Sequence, residues 1–205
     1  MGASYPEMVE RIAPFAGISK TWPHTSVVMD GVKAPLLSVV GSKLDQLTSE
    51  DMRAVGRVYA GWGLSHAFYR GELYREMGFE TLEDFVAGVW ESSFMNMDPH
   101  NVLAMLWTGQ HADISANPSY NGDFDKALKS IKALACIMPG STDLFCTADD
   151  NEYEAKLIPN AMFKPIQSIW GHFAGRGINS ADNHCIDHNL KHLLGLHATQ
   201  MTNKP

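Results

Sequence analysis

The sequence predicts an α/β protein in which a short parallel sheet is interrupted by a large helical insertion. Three observations carry this. Ala133 to Met138 is a continuous apolar run ended by Pro139-Gly140, the pattern of a strand buried on both faces. Met162 to Ile166 reads as a second short strand, and a loop and a helical segment follow each run, the βαβα order of a parallel sheet. Between residues 47 and 115 the apolar residues recur at helical spacing instead.

Local chemistry gives the elements in order. Val9 to Phe15 is a short extended run ending at Gly17, and Ser19 to Ser26, rich in Thr, Pro and His, reads as a loop. Thr48 can N-cap a long helix whose first turn holds Glu50 and Asp51, where acids favour the helix dipole. Met52, Val55, Tyr59, Trp62, His66 and Tyr69 recur along it. A second helix starts at Thr81, with Asp84 in a capping-box-like position, and carries Phe85, Val86, Val89, Trp90 and Phe94. Asp98-Pro99 begins a third, with Val102, Met105 and Leu106 on its inner side. Asn121-Gly122 marks a turn before a short helix from Phe124 to Ile131. Helices near Asp149 to Leu157 and Ala181 to Leu194 complete the chain. This places the sheet core at about residues 1–40 and 116–205 and the insertion at 41–115. Three strands make a thin parallel sheet. Either further strands escape the pattern, or the chain is the latter part of a larger fold.

Composition narrows the function classes. Apolar residues make up 45% of the 205 and charged residues 19%, which are globular values. Lys and Arg number 16 against 23 Asp and Glu, a net charge of -7 that argues against a nucleic-acid partner. Apolar runs such as Leu36 to Val40 are too short to cross a bilayer. Cys136, Cys146 and Cys185 are an odd number without C-x-x-C spacing, so neither a disulfide framework nor a structural metal is expected. No signal peptide or peroxisomal tripeptide is visible, and a cytoplasmic protein is the expectation.

Two loops hold candidate chemistry. Pro139 to Phe145 follows the first buried strand and contains Asp143; Ile169 to Gly175 follows the second and contains His172. Ligands and catalytic groups gather beyond the carboxyl ends of parallel strands, so the two side chains can meet there. A carboxylate on an imidazole fixes its tautomer and stabilises the imidazolium formed in catalysis. The plainer reading of each is a turn aspartate and a surface histidine.

Several strings carry a family resemblance. Met138-Pro139-Gly140-Ser141-Thr142-Asp143, Ile158-Pro159-Asn160-Ala161 and Ile169-Trp170-Gly171-His172-Phe173-Ala174-Gly175 are the first three. Tyr5 to Ile12, Leu106-Trp107 and Gln110 to Ser115 join them. Together they resemble the homoserine O-acetyltransferase-like branch of the α/β-hydrolase superfamily, over about residues 5 to 194. The resemblance implies a single partial α/β-hydrolase domain over residues 1–205, with the insertion as a helical lid. It also implies a Ser-Asp-His triad in which Asp143 matches the acid and His172 the base. Its substrates would be a small-molecule ester, thioester or acyl acceptor, with acetyl-CoA a candidate acyl donor and no other cofactor. A homodimer through the lid is a candidate assembly. Similar proteins occur in fungal secondary-metabolite and toxin gene clusters.

The family's nucleophile sits in a G-x-S-M-G turn upstream of the Tyr-Pro-Glu segment. Around Ser4, Gly2 supplies the first glycine but Pro6 stands in place of the second. The expectation is therefore two triad members of three, in a chain related to serine-dependent acyltransferases and esterases, with a truncated non-catalytic paralogue or interaction subunit as the alternative.

Other groups have simpler readings. His184, His188 and His192 share a face of the last helix beside Cys185, and read as solvated surface before metal ligands. Trp62, Phe68, Trp90, Phe94 and Trp107 read as lid or dimer core before an acyl channel. His111 and Asp113 read as a helix end before a substrate-facing edge. Arg57 and Arg70 read as partners of Glu50 or Glu72 before a carboxylate or phosphate site.

Overall fold

A computed structural model describes residues 1–40, 48 and 50–196. They form two compact units. One comprises Met1–Lys20 with the described residues from Asp113 onward, and the other Thr21–Ala112.

The first unit opens with strand β1 (Arg11–Ile12). The second unit holds helices α1 (Pro23–Val40), α2 (Asp51–Gly63), α3 (His66–Arg70), α4 (Leu82–Phe85), α5 (Ser92–Met95) and α6 (Pro99–Gln110). The first unit resumes with helix α7 (Phe124–Lys129), strand β2 (Leu134–Ile137), helix α8 (Ala148–Leu157), strand β3 (Ala161–Phe163) and helix α9 (Ser180–Gly195).

The three strands form one parallel sheet in the order β1-β2-β3, with Arg11 opposite Leu134 and Ala135 opposite Ala161. Central β2 is buried at every position, as its unbroken apolar run requires. Pairing continues past the strand ends: Phe15 bridges Met138 and Gly140 bridges Ile166, both parallel. Leu134, Cys136 and Met138 pack with Ile166, Ala174 and Leu193 into a core that the inner side of α9 covers. Arg11 donates to the carbonyls of Leu193 (3.2 Å) and Leu196 (2.8 Å), a cation at the carbonyl end of α9, where the helix dipole favours it.

Near residue 113 a carboxylate braces the chain. Asp113 accepts from the Ser115 amide (2.7 Å) and hydroxyl and pairs with Lys20 at 3.4 Å. Burial alone would raise its pKa; the Ser115 bonds and the Lys20 charge outweigh that and hold it below the ordinary aspartate value. A depressed carboxyl pKa stabilises the fold above its unfolded value, and the contribution disappears as pH falls through the folded value. Asp113→Asn is therefore expected to lower the urea midpoint at neutral pH and to match the wild type in strong acid. Equal midpoints at neutral pH would count against this.

In the helical unit two of the three expected caps form; Thr48 instead donates its amide (2.7 Å) and hydroxyl (2.9 Å) to the Asp51 carboxylate, and α2 starts without a side-chain cap. The Thr81 hydroxyl accepts from the Asp84 amide (3.1 Å) and donates to its carboxylate (2.6 Å), while Asp98 caps α6 through the Asn101 amide at 2.9 Å, with Pro99 in the first turn. α2 packs against α1 and against the π-helical stretch Val86–Glu91 that joins α4 to α5. Gly56 is needed there, because a Cβ would lie 2.6 Å from the Trp90 carbonyl oxygen.

Three expectations change. The loop at 19–26 gives way at Pro23 to α1, an 18-residue helix carrying Pro35. The long helix from Thr48 breaks into α2 and α3, because Leu64 turns extended and the Ser65 hydroxyl caps a new start through the Phe68 amide at 3.1 Å. The unit boundaries fall at 20/21 and 112/113 rather than 40/41 and 115/116, since α1 packs on α2 and α6. Residues 41–47, where the insertion was expected to begin, lie outside the described residues.

Candidate active site

The sheet delivers two loops to one place. After β2, Pro139 and Gly140 keep the chain paired with Ile166, and a turn closed by the Asp143 amide on the Gly140 carbonyl (3.1 Å) puts Asp143 inward. After β3, the chain runs through Ile166 to a short 3-10 turn, Gly171–Phe173, that carries His172. Gly171 opens it at φ 59°, a left-handed conformation that a side chain would strain.

The structure brings Asp143 and His172 together: Nδ1 of His172 lies 2.9 Å from Oδ2 of Asp143. The aspartate side chain is fully buried and the imidazole 17% exposed. The other aspartate oxygen accepts from the amides of Phe145 (2.7 Å) and Cys146 (3.0 Å). A carboxylate only accepts, so the neutral ring carries its proton on Nδ1 and a lone pair on Nε2, the arrangement of a general base. The Phe145 ring meets the imidazole edge to face, with centroids 5.0 Å apart.

Cys146 is a neighbour that sequence spacing did not single out. Its sulfur, a His172 nitrogen and an Asp143 oxygen lie within 4.8 Å of one another, close enough to prompt a metal reading. The donor chemistry fits poorly. Burial first, then the charges of Asp143, Glu154 and Asp150, push the thiol pKa far up, which disfavours the thiolate a metal would take. The Asp143 oxygens already accept three hydrogen bonds. The group suits an ordered acid–base pair better than a metal cage.

The fit between the loops is tight at Gly140. A Cβ there would lie 2.7 Å from the Gly171 carbonyl oxygen and 3.0 Å from the Ala174 Cβ, and a backbone carbonyl cannot swing aside. Gly140→Ala is expected to cost about 1–3 kcal/mol by forcing the loops apart. Urea unfolding measures it, and an unchanged midpoint would show that the loops accommodate the methyl.

The remaining candidates lie elsewhere. His184, His188 and His192 are exposed along α9. Phe68, Trp90 and Phe94 are buried in the helical unit, while Trp107 is 60% exposed and stacks on His111 at 4.2 Å between centroids. Arg57 pairs with Glu83 and Glu91, not with Glu50 or Glu72, which take Arg53 and Arg75. Ser4 is exposed, and the Ser141 hydroxyl is engaged with the backbone of Ser168.

No family model matches the sequence. An ethyl acetate hydrolase from Pseudomonas veronii is 32% identical over 197 residues, covering 94% of this chain and 55% of that protein. The crystal structure of an acetylester hydrolase from Corynebacterium glutamicum matches with a TM-score of 0.88 at 30% identity, over 95% of this chain and 56% of that one. A homoserine O-acetyltransferase from Bacillus anthracis matches with a TM-score of 0.76 at 19% identity, over 96% of this chain and 56% of that one, and shows a shared fold alone. The chain thus spans little more than half the length of the relatives it matches.

Proposed function

Because this chain belongs to the α/β-hydrolase superfamily, we propose that Asp143 and His172 are the acid and base of a serine-dependent site that hydrolyses a small-molecule ester. The observation that carries the reading is the 2.9 Å bond between them, placed beyond the ends of neighbouring parallel strands. In this mechanism His172 takes the proton of a serine hydroxyl through Nε2 as the oxygen attacks the ester carbonyl. It then returns that proton to the leaving alcohol, and afterwards activates the water that releases the acid. Asp143 holds the ring in one tautomer and stabilises the imidazolium.

Hydrolysis is favoured over transfer to an acceptor such as one acylated from acetyl-CoA. Relatives at 30% identity or above carry the names of an ethyl acetate hydrolase, an acetylester hydrolase and a probable esterase, whereas the acetyltransferase shares only the fold. The second reading is a non-catalytic paralogue or interaction subunit, which a folded chimera without ester turnover would favour.

A segment exchange tests the first reading. Residues 5–194 replace the matching portion of the Pseudomonas veronii relative, whose remainder completes the protein. The chimera is expected to hydrolyse ethyl acetate and to lose on the order of 10⁶ in kcat with His172→Ala. A folded chimera without ester turnover, or one indifferent to His172, would sink it.

A further inference from the structure

The two loops of the pair are joined by more than the pair itself. Thr142, the residue before Asp143, places its hydroxyl between two backbone groups of the histidine loop. It donates to the Ser168 carbonyl at 2.8 Å and accepts from the Gly171 amide at 3.2 Å. Gly171 in turn is the residue before His172. One side chain adjoining the acid therefore holds the backbone adjoining the base.

Behind this contact the histidine loop is anchored a second time. The Ser168 amide donates to the Ser141 hydroxyl at 3.2 Å. The Ser168 hydroxyl donates to Asp182 at 2.8 Å and accepts from the Trp170 amide at 3.1 Å. Asp182 is buried in the first turn of α9, where the helix dipole favours a negative charge. Ser168, Gly171 and Asp182 are buried, so breaking their bonds leaves polar groups short of partners.

We propose that Thr142 is a positioning residue for the Asp143–His172 pair: its hydroxyl fixes the distance between the acid loop and the base loop, and so keeps the Nδ1 bond closed. Its catalytic meaning rests on the reading of that pair given above. The hydroxyl is suited to the task because it donates and accepts at once, from a β-branched side chain with few rotamers. Serine retains both bonds with more freedom; valine keeps the shape and loses both.

The test uses the 205-residue chain and nitrogen-15 NMR of the histidine rings, which needs no turnover. In the wild type, the Nδ1 proton of His172 is expected as a slowly exchanging downfield signal. In Thr142→Val its exchange with water is expected to speed up about tenfold, the factor that loss of a typical hydrogen bond supplies, and Thr142→Ser should stay near the wild type. Amide signals of Leu134 to Ile137 report whether each variant folds. Should the valine variant fail to fold, exchange of the Gly171 amide in the wild type decides, since protection is expected and exchange at the rate of an unstructured peptide would overturn the proposal. A valine variant that folds with an unchanged Nδ1 signal also overturns it, and leaves the catalytic pair standing. Absence of the signal in the wild type overturns the pair, and the proposal with it.

Discussion

Assayed by itself, the 205-residue chain is expected to hydrolyse p-nitrophenyl acetate no faster than its His172→Ala variant. The proposed acid–base pair is in place, with Nδ1 bonded to Asp143 at 2.9 Å. What a base needs next is a hydroxyl on Nε2. The hydroxyls of these loops have other work: Ser141 and Thr142 bond to the backbone of Ser168, and Ser168 bonds to Asp182. In a serine-protease triad, loss of the serine costs on the order of 10⁶ in kcat. Activation of water by an isolated base recovers roughly 10²- to 10⁴-fold, short of ordinary ester turnover. A fluorophosphonate probe should accordingly label no serine. Turnover that disappears with His172→Ala would overturn this expectation, and would make Ser141→Ala the next variant to examine.

How much of this is legible in the sequence differs by element. The parallel strands are legible because β2 is buried on both faces and must be apolar throughout. The meeting of Asp143 and His172 is legible because each lies in the loop beyond a parallel strand. Helix α1 is not. It contains Val27-Val28, Val39-Val40, Gly31 and an internal Pro35, all poor helix signals, and it owes its stability to packing against α2 and α6. The break after α2 was hidden because Ser65 is a cap only once Leu64 has turned extended. The supporting residues Thr142, Ser168 and Asp182 give no local sign either. Thr142 and Ser168 are 26 residues apart, and their bonds exist only in the register that the sheet imposes on the two loops. Family resemblance pointed to the proposed acid and base by motif, but hydroxyls that brace a loop from behind carry no motif of their own.

The second large effect belongs to the helical unit, where Phe85→Ala is expected to cost about 3–5 kcal/mol. Phe85 is fully buried at the end of α4. Its ring meets those of Phe68 at 5.6 Å, Tyr69 at 6.4 Å, Tyr74 at 5.8 Å and Phe79 at 5.4 Å between centroids. Deleting it removes the transfer free energy of a large apolar group and leaves a hole that four rigid rings cannot close, with aromatic pair terms of about 0.5–1.5 kcal/mol each lost besides. Set against a total stability of about 5–15 kcal/mol for a domain, that removes a large share of the margin. Tyr69 supplies an independent readout. Burial pushes its phenol up to about 12, against the opposing hydrogen bond from Trp90. Water admitted beside it should bring that value back toward 10, visible as phenolate absorbance at lower pH. Phe85→Leu keeps most of the volume and should lose less on both measures. A Phe85→Ala variant with a urea midpoint close to the wild type and an unshifted Tyr69 titration would mean that the cluster repacks around the gap.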